Sequence, residues 1–167
     1  MHILILGAGA IGGYFGARLQ DAGGDITFLV RSARAAQLAA RGLHVESPLG
    51  NVDVKPKAIT AEGVHEHFDV AILTCKAYDL GSAVDSIAPF VGPDSVILPL
   101  LNGMAHLDLL DSRFGRDRVL GGVAHLAVTL TSEEMSGSSV PGVAAAANAE
   151  VQPFTRVTIS GCRIRLL

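Results

Sequence analysis

Cysteine is scarce, charge is thin, and no stretch is long enough to cross a membrane; each shortage removes a class of protein. The two cysteines, Cys75 and Cys162, lie far apart with no C-x-x-C or metal-ligand spacing, so there is neither a disulfide framework nor a zinc site to build on. Each is expected to act as a small buried hydrophobe. Charged residues are 17% of the chain and the net charge is −3. No Lys/Arg cluster forms a stripe, which argues against nucleic acid as a partner. The apolar start, residues 3–15, lacks the basic n-region of a signal peptide, and no run approaches the ~18 uninterrupted apolar residues of a membrane span. The expectation is a cytoplasmic protein with no membrane partner. Apolar residues make up 49% of 167, enough for one domain with a real core and short for two.

What is present is concentrated in residues 1–31. An apolar run, Ile3 to Leu6, enters Gly7-Ala8-Gly9-Ala10-Ile11-Gly12; an alanine- and glycine-rich helix follows over residues 10–22, then a break at Gly23-Gly24 and a second apolar run over residues 26–30. Strand, tight turn, helix and strand in this order open a dinucleotide-binding βαβ unit. Gly7 allows the sharp turn, Gly9 lets the backbone approach a pyrophosphate, and Gly12 lets helix and strand pack closely. Phosphates then sit on free N–H groups of Ala10, Ile11 and Gly12 at the helix N-terminus, where the dipole favours an anion.

Beyond it, Ser32 is placed to N-cap a helix over residues 33–41 that Gly42 closes. Alternating residues at 43–46 and 52–55 flank a Ser-Pro-Leu-Gly-Asn turn and predict a small hairpin. A buried strand is expected over residues 68–75, a helix over 77–88 stopped by Pro89, a strand over 96–100, a helix over 103–114, and a long apolar strand or pair of strands over 119–130. Alternation of this kind predicts an α/β fold, Rossmann-like and doubly wound on a mostly parallel sheet. The texture changes near Thr131. The division expected is a nucleotide-binding domain over residues 1–131 and an atypical tail over 132–167, with a Ser/Gly patch at 136–139, an alanine run at 144–147, and one or two strands near the end.

In NAD-binding versions of the motif a carboxylate roughly twenty residues past the glycines takes the ribose 2′-hydroxyl, whereas an arginine there accommodates the 2′-phosphate of NADP. The second strand here ends Val30-Arg31-Ser32. Arg31 can make charge-assisted bonds to that phosphate and Ser32 can add another, so NADP(H) is favoured over NAD(H); the alternative is an ordinary exposed arginine.

The segments Gly7 to Gly13 with Tyr14-Phe15-Gly16, Phe28-Leu29-Val30-Arg31, Cys75-Lys76-Ala77-Tyr78-Asp79-Leu80, Leu101-Asn102-Gly103-Met104 and Val119-Leu120-Gly121-Gly122 together resemble the N-terminal domain of the ketopantoate reductase (2-dehydropantoate 2-reductase) family. The resemblance covers about residues 1–130. It implies NADPH-dependent reduction of a 2-oxo acid, 2-dehydropantoate to pantoate, towards pantothenate and coenzyme A, with Lys76 and Asn102 as catalytic and cofactor-contacting residues.

Those two residues also make sense on their own. Each follows a predicted parallel strand, at the carboxyl edge where open α/β sheets bind ligands. A ketone receiving hydride gathers charge on its oxygen, and a nearby cation or donor lowers the barrier. Lys76 can supply the cation or hold a substrate carboxylate, and Asn102 can orient ribose and substrate. The alternatives are a solvated lysine at a helix start and an asparagine capping the helix from Gly103; the residues alone leave these open, and the resemblance favours the functional reading. No metal site is expected, since His65-Glu66-His67 lacks a further ligand nearby, and His106 and His125 are expected to be structural.

The family carries a second, mostly helical domain with a general-acid lysine, and residues 132–167 do not resemble its start. A fragment, a frameshifted or truncated frame, and a half-enzyme completed elsewhere are the explanations left open. Two further readings stand beside the first: an NADP(H)-binding module with no chemistry of its own, and an unrelated Rossmann dehydrogenase for another small hydroxy acid. An apolar face near residues 119–130, uncovered by the tail, leads to the expectation of a homo-oligomer, or of marginal stability without NADP(H).

Overall fold

The computed structural model describes residues 1–62, 66–125, 127–131, 142–145 and 156–160. His65, the Ser/Gly patch at 136–139, the end of the alanine run, Cys162 and the last apolar stretch lie outside the described residues, as do the expectations placed on them.

Five parallel strands form the central sheet. In chain order the first part runs β1 (His2–Leu6), α1 (Ala10–Asp21), β2 (Asp25–Leu29), α2 (Ser32–Arg41), a hairpin of β3 (Leu43–Glu46) and β4 (Val52–Val54), and β5 (Lys57–Ile59). The second part runs β6 (Phe68–Leu73), α3 (Leu80–Ile87), β7 (Val91–Pro99), α4 (Ala105–Phe114), β8 (Gly121–His125), β9 (Val128–Thr131), β10 (Gly142–Ala145) and β11 (Arg156–Ser160). The sheet order is β5-β2-β1-β6-β7, with every pair parallel. The chain thus winds outwards from β1 on one side, then returns to build β6 and β7 on the other. This is the Rossmann-like, doubly wound α/β fold, and its switch point lies between β1 and β6, where ligands of such sheets bind.

Strand alternation sorts the core into two layers. Ile3 and Ile5 of β1 join Tyr14, Ala17, Phe28 and Leu98 on one face. Leu4 turns to the other, with Val84, Ile87, Leu110 and Phe114. Because both faces are covered, β1 reads as an unbroken apolar run rather than an alternating one. Full burial of each such side chain stabilises by about 1.5–3 kcal/mol.

Helix α1 is covered on both sides. It packs on β1 and β2 and also against β3, β4, β9 and β10, which belong to a second sheet ordered β4-β3-β10-β9. Its side chains hold the hairpin: Arg18 Nη2 donates to the Gly50 carbonyl (2.5 Å) and Gln20 Nε2 to that of Lys55 (3.1 Å). The guanidinium of Arg18 also lies 5.5 Å from the Tyr14 ring centre.

Several elements differ from expectation, each for a local reason. β5 was not expected: Lys57–Ile59 is too short to show alternation, and it forms because β2 offers a free edge, with the Val30 N–H donating to the Ile59 carbonyl (3.0 Å). The single helix expected over 77–88 is a 3-10 turn (Ala77–Asp79), then α3, then a second 3-10 turn (Ala88–Phe90) holding Pro89. β7 begins at Val91 rather than 96 despite Gly92 and Pro93. A register shift lies opposite Phe68 and Val70, and the Ser95 hydroxyl fills the gap, accepting from the Gly92 N–H (2.8 Å) and donating to the Phe68 carbonyl.

Ser32 is the first residue of α2 rather than its cap; Arg31, extended at φ −69° and ψ 152°, takes the cap position. Helix α4 starts at Ala105 with Met104 as cap, so Asn102 does not cap it. The stretch over 119–130 is a pair of strands. β9 pairs with β10 and β8 with β11, each along one edge, and β9 ends its sheet. Among the described residues no helix is long and apolar enough to cross a membrane.

Candidate active site

At the carboxyl ends of β1, β2 and β6 the sheet opens into a cleft of about 760 Å³. Its floor is the glycine turn. Gly7 has φ +93°, a conformation that L side chains rarely adopt, and its N–H donates to the Leu29 carbonyl (2.9 Å), joining the turn to β2. A Cβ on Gly12 would run into the Gly7 carbonyl and come within 2.5 Å of Thr74 Oγ1, so only glycine lets α1 start this close to the turn. Around Gly9 a Cβ would meet nothing within 4 Å; that space is open to the cleft. Helix α1 begins there with no acidic residue in its first turn, leaving unopposed N–H groups and the positive end of the dipole.

One wall continues from the turn to the end of β2, where Arg31 and Ser32 line the cleft together with Arg34 and Gln37 of α2. The opposite wall comes from the β6–α3 connection, with Cys75, Asp79, Ser82 and Ala83. Cys75 is half-buried, and burial pushes its thiol above the ordinary value, with the nearby Asp79 charge adding to the rise. It therefore stays protonated and serves as apolar wall.

The expected cofactor residues separate into groups. Gly7, Ala8, Gly9, Arg31 and Ser32 line the cleft. Ala10, Ile11 and Gly12 form the first turn of α1 beneath it. Lys76 and Asn102 stand outside it, both exposed, on neighbouring loops. β6 and β7 are paired in register at Leu73 and Pro99, and Lys76 and Asn102 each lie three residues beyond that pair. Parallel pairing thus brings both polar side chains to the same level of the carboxyl edge. Lys76 heads the 3-10 turn, its carbonyl accepting from the Asp79 N–H (2.9 Å).

Sequence reasoning missed two contributors. Thr74 Oγ1 donates to the Leu6 carbonyl (2.9 Å) at the switch point. Arg34 donates from Nη2 to the Ala8 carbonyl (3.0 Å); its signal was a second arginine one helical turn past Arg31. Other titratable groups are accounted for locally. His106 is buried, which pushes its pKa below the ordinary histidine value. Glu66 is held below the usual carboxylate range by the hydrogen bond and charge of Lys57 (2.9 Å). Among the described residues no His/Cys/Asp/Glu cluster could hold a metal ion.

This geometry fits a dinucleotide: an open space above Gly9 for a pyrophosphate, a helix N-terminus facing it, and Arg31, Ser32 and Arg34 on the wall past β2, with Glu62 also lining the cleft. Comparison with known proteins agrees. The family model described as "Ketopantoate reductase PanE/ApbA" matches residues 3–144. An uncharacterized oxidoreductase, YkpB of Bacillus subtilis, is 44% identical over 133 residues, covering 80% of this chain and 44% of its own. The crystal structure of 2-dehydropantoate 2-reductase from Geobacter metallireducens superposes with a TM-score of 0.74 at 32% identity, over 87% of this chain and 46% of its own. A D-mandelate dehydrogenase in ternary structure with NADH and anilino(oxo)acetate superposes with a TM-score of 0.77 at 25% identity, over 88% of this chain and 46% of its own. The chain thus spans somewhat less than half the length of these relatives. A glycine turn at the switch point, a cleft edged by arginines and a family match over most of the sequence have one reading: this chain belongs to the ketopantoate reductase PanE/ApbA family of oxidoreductases.

Proposed function

We propose that residues 1–131 form the NADP(H)-binding domain of a 2-oxo acid reductase, with 2-dehydropantoate as the substrate that the family suggests, and that β10 and β11 add strands to it from the following segment. The observation that carries this reading is the cleft that runs unbroken from the glycine turn to Arg31 and Ser32, without a carboxylate at the end of β2. A carboxylate there would repel a 2′-phosphate; a guanidinium and a hydroxyl attract it. NADPH supplies a hydride when bound.

The protein's own contribution is to bind and orient. N–H groups at the start of α1 hold the pyrophosphate, and Arg31 with Ser32 holds the 2′-phosphate. At the far edge, Lys76 places a positive charge beside the substrate's carboxylate or its reacting carbonyl oxygen. Asn102 donates and accepts to fix substrate and ribose in one orientation. Charge that develops on the oxygen is stabilised by donors already in place, which is where the largest rate gains of such sites arise.

Lys76 and Asn102 are exposed, so water reaches the reacting edge. Binding without turnover by these 167 residues is therefore the second reading, since an open site neither excludes water nor fixes the substrate. Calorimetry with NADPH and NADH, beside NADPH oxidation over a panel from 2-dehydropantoate to aryl 2-oxo acids, tests both. Tighter binding of NADPH than NADH is the expected result. No binding of either cofactor removes the proposal. Turnover by the 167-residue chain removes the second reading, and turnover lost in both Lys76→Ala and Asn102→Ala supports the first.

A further inference from the structure

Arg34 occupies the third position of α2, half-buried on the cleft wall beside Arg31 and Ser32. Its fork is held at two points: Nη2 donates to the Ala8 carbonyl (3.0 Å) and Nη1 to Gln37 Oε1 (3.2 Å). Both partners are neutral. Burial lowers its pKa from the ordinary value, with no carboxylate contributing, and among the described residues none forms an ion pair with it. A guanidinium stays charged in any protein setting, so the cleft wall carries a fixed, partly desolvated positive charge that makes no ion pair among the described residues, with Glu62 the carboxylate that lines the same cleft beyond β5. The first turn of α2 adds no acid to cancel it and directs its free N–H groups the same way.

We infer that Arg34 is a specificity-determining residue: a second cation for the 2′-phosphate of NADP(H), fixed in place by Ala8 and Gln37, beside the exposed Arg31. This rests on the NADP(H) reading above and extends it. Arg31 sits at the mouth, exposed to solvent, where screening weakens a charge pair. Arg34 sits deeper, where the same pair is screened less, and its remaining N–H donors are free for an anion. The bond to Ala8 also ties this cation to the glycine turn, so the two phosphate seats share one rigid wall.

The test uses the 167-residue chain and its Arg34→Ala, Arg34→Lys and Gln37→Ala variants, with NADPH and NADH as probes in calorimetry and circular dichroism to verify folding. Arg34→Ala should raise the Kd for NADPH about ten- to a hundredfold, as loss of a charge-assisted contact does, with a much smaller change for NADH. Arg34→Lys keeps the charge but not the fork, and should restore part of the NADPH preference. Should Arg34→Ala fail to fold, Gln37→Ala, which releases Nη1 alone, should weaken NADPH and spare NADH. A wild-type chain that binds both cofactors equally overturns the NADP(H) reading and this assignment together. A wild type that prefers NADPH, with folded variants that keep the full preference or weaken both cofactors equally, overturns the assignment of Arg34 alone.

Discussion

Thr74 reaches from the end of β6 to the end of β1, its hydroxyl donating to the Leu6 carbonyl at 2.9 Å. That bond closes the sheet at the point where the chain's winding reverses and where the glycine turn begins. Thr74→Val keeps the shape and removes the donor, leaving a partly buried carbonyl unpaired. The expected loss is about 1 kcal/mol, or a fall of about 2–4 °C in Tm for a chain of this size. Thr74→Ser should lose far less. Thermal melts of the pair check this, and a larger loss in Thr74→Ser than in Thr74→Val would show that the methyl group, not the hydroxyl, matters.

Gly12 and Gly9 should separate stability from binding. A Cβ at Gly12 collides with the Gly7 carbonyl and Thr74, so Gly12→Ala should destabilise by about 1–3 kcal/mol through overpacking. A Cβ at Gly9 meets no protein atom within 4 Å, so Gly9→Ala should melt near wild type and still weaken NADPH. Denaturant midpoints set against calorimetric Kd values decide it; an unaltered NADPH affinity in Gly9→Ala would move the pyrophosphate elsewhere.

Arg31→Ala should weaken NADPH by roughly 1.5–3 kcal/mol, about ten- to a hundredfold in Kd, and leave NADH nearly unchanged. The same variant should flatten the salt dependence of NADPH binding, because an exposed charge pair is the more strongly screened. Parallel titrations at low and high salt measure both effects. If the two cofactors weaken together, Arg31 does not read the phosphate.

His106 sets a pH dependence of known sign. It is 6% exposed, and burial holds its pKa below the ordinary value. The unfolded chain therefore takes up this proton first, near pH 6.5, as pH falls. Below that point the unfolded state binds more protons, and stability declines toward the lower folded value; above it this contribution is flat. His106→Gln should remove that share of the slope. Denaturant unfolding at pH 5.5 and 7.5, wild type beside variant, tests it, and identical pH dependence in the two proteins would exclude His106 as the source.

Strong periodicity makes the central fold legible in the sequence. β1, α1, β2 and the hairpin sit within a residue or two of their expected ends, because turn glycines and apolar runs act locally. β5 was illegible because a three-residue strand owes its existence to β2 rather than to its own residues. The early start of β7 depends on one serine hydroxyl spanning a register shift, which no local pattern announces. At the site, Gly7 and Arg31 were readable because their type and spacing carry the chemistry. Arg34 was not, since its importance comes from a bond to a carbonyl twenty-six residues away in sequence.

Helix α1 lies between two sheets, with Arg18 and Gln20 gripping the β3–β4 hairpin from beneath. The hairpin is therefore a roof rather than an appendage, although none of its residues lines the cleft. Removing residues 43–54 would strip water-excluding cover from the helix whose first turn seats the pyrophosphate. Amide exchange along α1 would then rise from its protected middle outward, and nucleotide affinity would fall with no cofactor-facing residue altered.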